Sequence, residues 1–356
     1  MNRTPMPAGG TSTARQRRRL AAITALLTLL AIAILSEAVL RATGHEPWRR
    51  ETRFDDEPTL HEPDPVLGWR NKPGAFVLPP FTPRGRPTRF TFLADGSRAT
   101  APEPAHGGAR VVLVGGSFTQ GWAIADEETF AWKLQSRNPS LHVQNHGVGG
   151  YGTYQALLLL ERLFAGDAPP ELVIYGFIGQ HEFRNVGLME WLEILSRHSS
   201  RGAVRVPYCS LGHDGRLVRH APESYPPWPL RGQLASAAFL QKHYLRLTRG
   251  NRLRDGRTVT QRLLVEMKDL CEANRARLAV VMLNAFGEAA DEYGAFLAAH
   301  DIPHVDCTVP LTLDRMVPGD GHPNGKLNTL FTDCIEAGIG SELTRLAAGP
   351  TPDGER

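Results

Sequence analysis

From Arg110 onward, short apolar runs alternate with longer amphipathic stretches, and few architectures accept that alternation. Parallel strands must be joined by crossovers of a dozen residues or more. Helices laid in those crossovers cover both faces of the sheet, so its strands read as continuous apolar runs. Strands are expected at 110–115, 142–145, 172–177, 278–283 and 304–306. Helices are expected at 127–135, 154–164, 187–197, 232–247, 258–274, 289–300 and 324–346. The fold class is therefore α/β, a three-layer α/β/α sandwich with a parallel sheet over residues 108–348. An irregular insert is expected at about 198–231, and residues 349–356 read as a tail.

What precedes this domain is different in kind. Arg3, Arg15, Arg17, Arg18 and Arg19 come before any acid, and 20–40 is an apolar run carrying one charge, Glu37. A hydrocarbon core of roughly 30 Å takes about 20 helical residues, so the run suffices for one span. A cleaved signal peptide would use Ser36-Glu37-Ala38, but apolar regions there are shorter, about 7–15 residues. A buried core helix leaves the arginine cluster unexplained. The run reads as an uncleaved signal-anchor, with 1–19 a basic cytoplasmic tail and everything beyond about 41 extracytoplasmic, in the periplasm. Residues 41–107, rich in proline and glycine, read as a stalk that packs on the main domain, with a candidate hairpin from 76–78 and 89–93.

Charge and cysteine content narrow the function. The chain of 356 residues carries 40 Lys and Arg against 37 Asp and Glu. Without the five leading arginines it is close to neutral, so no basic stripe remains for nucleic acid. Cys209, Cys271, Cys307 and Cys334 lack CxxC spacing, which argues against a zinc ribbon or a thioredoxin-type site. They form up to two disulfides by any of three connectivities, or stay as thiols.

Three short blocks carry chemistry. Gly115-Gly116-Ser117-Phe118-Thr119-Gln120-Gly121 follows the first strand, and ligand sites in open α/β sheets lie at carboxyl ends of strands. By itself Ser117 reads as a helix cap. Asp320-Gly321-His322 precedes the last helix, and supplies a base for a serine hydroxyl together with a carboxylate to orient that base. By itself it reads as a turn or a metal-binding pair. Asn145-His146-Gly147-Val148-Gly149-Gly150-Tyr151-Gly152 follows the second strand. Its glycines match GxGxxG at 147, 149 and 152, but Glu171, about 20 positions on, would begin the next strand and cannot reach a ribose. They read better as a turn that offers backbone N–H groups to an oxyanion.

Together these blocks resemble the SGNH (GDSL-type) hydrolase superfamily over roughly residues 110–346. The flanks Asp64-Pro-Val-Leu-Gly-Trp-Arg and Ser117-Phe-Thr-Gln-Gly-Trp are similar to those of its membrane-anchored bacterial members. The resemblance implies a flavodoxin-like sheet, Ser117 as nucleophile, and Asp320 and His322 as its partners. It implies an oxyanion hole from the N–H groups of Ser117 and Gly150. Gly116 stands where the family has aspartate. The family's third donor is an asparagine amide; here Gln180 matches in register and His181 is the adjacent polar alternative.

The expectation is a membrane-tethered serine esterase or O-acyltransferase acting on an O-acyl or O-acetyl ester. An envelope glycan is the substrate suggested by the anchored relatives. No metal or organic cofactor is expected, no nucleic-acid partner, and protein partners are unspecified. The competing expectation is a catalytically silent glycan-binding or assembly protein, which the altered third block favours. The helix at 232–247 reads as a core-packed helix, with a lid or partner surface as the alternative.

Overall fold

The computed structural model describes residues 10–50, 59–103, 107–166, 169–199, 204–226, 228–285 and 287–349. Arg3 and all of the expected tail except Gly349 lie outside them. The chain divides into two units, residues 1–49 with 226–248 and residues 50–225 with 249–356.

The smaller unit holds α1 (Gly10–Ala42) and α7 (Ala235–Thr248). Over Thr13–Ala42, α1 is long and apolar enough to cross a membrane, and its most apolar stretch is wholly unburied. The helix expected at 232–247 within the sheet domain thus groups with the apolar N-terminal helix instead.

In the larger unit, proline and glycine keep residues 59–103 from forming helices. β1 (His61–Asp64) pairs antiparallel with β2 (Gly68–Asn71), and β3 (Gly74–Leu78) pairs antiparallel with β4 (Thr88–Phe92), where the one candidate hairpin was expected. This segment does pack on the main domain. Arg98 is fully buried, bonded to Asp126 and to the carbonyls of Gln120 and Ile124.

The sheet follows. β5 (Arg110–Gly115) leads into the four-residue α2 (Ser117–Gln120), a 3-10 turn and α3 (Phe130–Arg137). α3 starts later than expected because the Thr129 hydroxyl caps it, accepting from Trp132 N at 3.2 Å. β6 (His142–Asn145), α4 (Thr153–Phe164), β7 (Leu172–Ile178), α5 (His181–Asn185) and α6 (Met189–His198) come next. The insert expected to be irregular is instead a hairpin, β8 (Arg205–Leu211) with β9 (Leu217–Ser224). Its turn is set by Asp214, whose carboxylate accepts from Arg216 N at 3.0 Å, and its register slips between Val206 and Tyr208, at Pro207, which has no N–H to donate. Then come α8 (Arg252–Ala273), β10 (Arg277–Asn284), α9 (Glu288–Ala299), β11 (His304–Asp306) and α10 (Gly325–Ala347).

The five-stranded sheet runs β11-β10-β7-β5-β6, every pairing parallel. Alternate side chains face opposite layers. Val112, Val114, Val173 and Tyr175 pack with α4, α8 and α9, while Val111, Leu113, Leu172 and Ile174 pack with α3 and α10. This is the expected three-layer sandwich in flavodoxin-like order, with its switch point between β5 and β7. Cys307 and Cys334 form one disulfide, which ties the end of β11 to α10, and Cys209 and Cys271 are buried thiols.

Candidate active site

In open α/β sheets ligands bind at the carboxyl ends of the strands beside the switch point, here β5 and β7, and Ser117, His322 and Asp320 meet after the end of β5. Ser117 begins α2 directly after β5 and is 6% exposed. Its Oγ lies 3.0 Å from His322 Nε2, and His322 Nδ1 lies 2.6 Å from Asp320 Oδ1. The Asp320 side chain is only 3% exposed, against 29% for His322, so the orienting carboxylate is held away from water while the base remains accessible.

The loop that presents His322 is fixed from both ends. Val317 N donates to His322 O, and Asp320 N and Gly321 N both donate to Val317 O. Beyond it, the Asn324 side chain caps α10 by accepting from Lys326 N and Leu327 N. Trp122 adds a wall: its indole N–H donates to Asp320 Oδ2 at 3.3 Å, and its ring lies 6.3 Å from the imidazole of His322. Phe118 approaches the same imidazole edge-on at 5.8 Å.

The glycine loop after β6 is held by the segment read as a stalk. Trp69 Nε1 donates to Gly149 O at 2.9 Å, Asn71 Nδ2 donates to Gly147 O at 3.0 Å, and the Tyr151 hydroxyl donates to Trp69 O. Gly150 takes φ +85°, which favours glycine, and a Cβ there would meet the Trp69 ring at 3.0 Å.

In the third block the two candidates part company. Gln180 is exposed, and its side chain makes no cap to α5. His181 is completely buried, its Nδ1 2.6 Å from the Tyr175 hydroxyl, which lies 2.7 Å from Thr153 Oγ1. Its Nε2 has no hydrogen-bond partner among the described residues. A Cβ on Gly116 would fall 3.0 Å from that nitrogen, 3.0 Å from Arg184 Nη1 and 3.0 Å from Tyr151 O. The aspartate suggested by the resemblance would crowd all three atoms and require them to shift, whereas glycine leaves His181 room to approach Gly116. Burial, reinforced by the Arg184 guanidinium, holds the His181 pKa well below the usual histidine value, so its imidazole is neutral. Burial raises the Tyr175 phenol, which stays protonated.

Arg184 is nearly buried and donates to Tyr151 O at 2.9 Å, with its guanidinium 4.6 Å from the Trp191 ring. Arg184, Tyr175, Asn71 and the link from Trp122 to Asp320 carry no motif signal in the sequence. Each becomes part of the site only through folding. Among the described residues no cluster of His, Cys, Asp and Glu suits a metal ion.

No protein-family model matches the chain, and no curated protein does. Among solved structures it is similar to TesA, at 13% identity over 65% of this chain and 98% of that one, with a TM-score of 0.39. It is also similar to a member of the lipolytic protein G-D-S-L family from Veillonella parvula, at 11% identity over 64% and 97%, with a TM-score of 0.38. At such identities and TM-scores neither says what this chain does, and the chemistry must come from its own side chains.

Proposed function

We propose that the protein is a serine esterase or O-acyltransferase, tethered to a membrane by α1, with its α/β unit on the extracytoplasmic side. The observation that carries this reading is the continuous chain Ser117 Oγ, His322 Nε2, His322 Nδ1, Asp320 Oδ1, with links of 3.0 and 2.6 Å. A serine hydroxyl attacks an ester only when a base removes its proton in the same step, and an imidazole does so only when oriented and in the correct tautomer. Asp320 accepts from Nδ1–H, which leaves the Nε2 lone pair facing Ser117.

Ser117 Oγ then adds to the ester carbonyl as its proton passes to His322 Nε2. The tetrahedral oxyanion is stabilised by the N–H groups of Ser117 and Gly150 and by His181. In the arrangement we propose, Thr153 accepts from Asn185 Nδ2 and donates its own hydroxyl proton to Tyr175, whose single proton then goes to His181 Nδ1, so that the ring's proton sits on Nε2, beside Gly116. That makes His181 a neutral donor in the place of the asparagine amide suggested by the resemblance. Collapse of the adduct breaks the ester C–O bond, and His322 returns the proton to the leaving alcohol. Water, or the hydroxyl of an acceptor, completes the cycle by the same steps in reverse. An O-acetyl group on an envelope glycan is the substrate we propose to test first.

A fluorophosphonate probe tests the core of the reading, since it labels only an activated serine. Labelling and acetyl-ester turnover that both vanish in Ser117→Ala support it. A chain that takes no label and turns over no acyl ester is instead the silent scaffold.

A further inference from the structure

Glu37, the one charge in the apolar run 20–40, is spent on capping α7. Its carboxylate accepts from Ala235 N and Ser236 N, each at 2.9 Å, and from Ser236 Oγ at 2.7 Å. Arg41 donates to the same carboxylate at 2.6 Å and to Gln233 O at 2.9 Å. Beyond α1, His45 meets the Phe239 ring edge-on at 5.0 Å, and Trp48 N donates to Arg231 O at 2.8 Å. α7 is therefore fastened to the last turns of α1. If a span of about 20 residues starts at Leu20, Glu37 falls in its final turn and the start of α7 lies at the edge of the hydrocarbon.

Two faces of α7 differ. Ala235, Gln241 and Leu245 are buried. Leu240, Tyr244 and Leu247 recur at i, i+4 and i+7 and are 59%, 51% and 85% exposed. Trp228 lies 5.3 Å from Tyr244, giving two aromatic rings with polar tips where such rings favour a membrane–water boundary. On the side of α7 away from that stripe its two basic residues are Lys242 and Arg246.

We infer that α7 is an interfacial helix that lies in the headgroup–acyl boundary of an anionic phospholipid bilayer, with Leu240, Tyr244 and Leu247 among the upper acyl carbons. A helix with an apolar stripe and basic residues on its polar side binds such a surface through buried apolar area and attraction to anionic headgroups. Continuity with α1 fixes its height, which distinguishes a lipid surface from a protein partner. The inference rests on the reading of α1 as a span.

The test uses the full chain in vesicles of phosphatidylcholine and phosphatidylglycerol, with a nitroxide on Leu27→Cys, Leu247→Cys or Lys242→Cys. The native cysteines are buried or paired, so each variant carries one label. Oxygen partitions into acyl chains and a nickel chelate into water. The expected ratio of oxygen to nickel accessibility is high at Leu27 and about ten-fold higher at Leu247 than at Lys242, as for a helix with one face in lipid. Replacing phosphatidylglycerol by phosphatidylcholine should raise nickel access at Leu247. A water-exposed Leu247 beside a lipid-exposed Leu27 overturns the interfacial helix while leaving the span intact. A water-exposed Leu27 overturns the span itself. A Leu247 label shielded from both reagents means a protein covers α7, and indifference to phosphatidylglycerol removes the anionic requirement; either result overturns the inference as stated.

Discussion

At the scale of residues, Ser117→Ala and His322→Ala should each lower kcat by roughly 10⁴- to 10⁶-fold, and the double variant should be little worse, because a nucleophile and its base act as a unit. Asp320→Asn should retain somewhat more activity. Steady-state kinetics on an acetyl ester checks all four, and near-native turnover by Ser117→Ala would falsify the nucleophile assignment. His181 and Gln180 give a second comparison. His181→Ala should lower kcat by about 10²- to 10³-fold with KM nearly unchanged, since an oxyanion donor acts mainly in the transition state. Gln180→Ala, at an exposed position, should change kcat no more than a few-fold. Because His181 stays neutral well below the ordinary histidine value of about 6.5, it should add no step of its own to the pH–rate profile. The sign for stability follows from the same shift. Below about pH 6.5 the unfolded chain binds a proton on this ring that the native chain does not, so the native state loses stability as pH falls through that value. His181→Asn should lose less on acidification, as denaturant titrations at two pH values would show.

At the scale of elements, the hairpins and turns before the sheet hold the catalytic loops in place. Arg98 follows the second hairpin and ties it to the loop after α2, and Trp69 and Asn71 on β2 hold the glycine loop. Replacing Arg98 by Met strands the buried carboxylate of Asp126 and several carbonyls. Breaking a buried pair in this way typically costs about 3–5 kcal/mol, which chemical denaturation would read directly. The sequence marked these residues as extended or turning, because proline and glycine act locally. It did not show that they clasp the site, because Arg98 and Asp126 are 28 residues apart and neither carries a motif. The same limit applies to the hairpin of β8 and β9. Its turn chemistry at Asp214-Gly215 was present in the sequence, but five prolines from 207 to 229 made the segment read as irregular.

At the scale of the whole molecule, α1 should make the difference between an integral and a peripheral protein. The full chain should resist carbonate extraction from membranes, whereas a chain beginning at His45 should be released. Release of both forms would rule out the span. Much of the architecture was already legible before folding was considered. Continuous apolar strands alternating with amphipathic helices leave only a parallel sheet covered on both faces, and an apolar run with a single charge, Glu37, behind an arginine cluster reads as a candidate span. The serine, aspartate and histidine could be picked out because each sits at a strand end or a turn, where local sequence dictates exposure. Only tertiary structure decided which third-block side chain packs against Gly116, how crowded that glycine is, and which unit the helix at 235–248 belongs to. These are questions of distance between segments far apart in the chain. His181 Nε2 and Gly116 come together because β5 and β7 are neighbours in the sheet, and Glu37 meets Ser236 across 199 residues. Local pattern encodes periodicity and exposure; the pairing of distant groups is set by packing and by the need to satisfy buried polar atoms, which exist only once the chain has closed on itself.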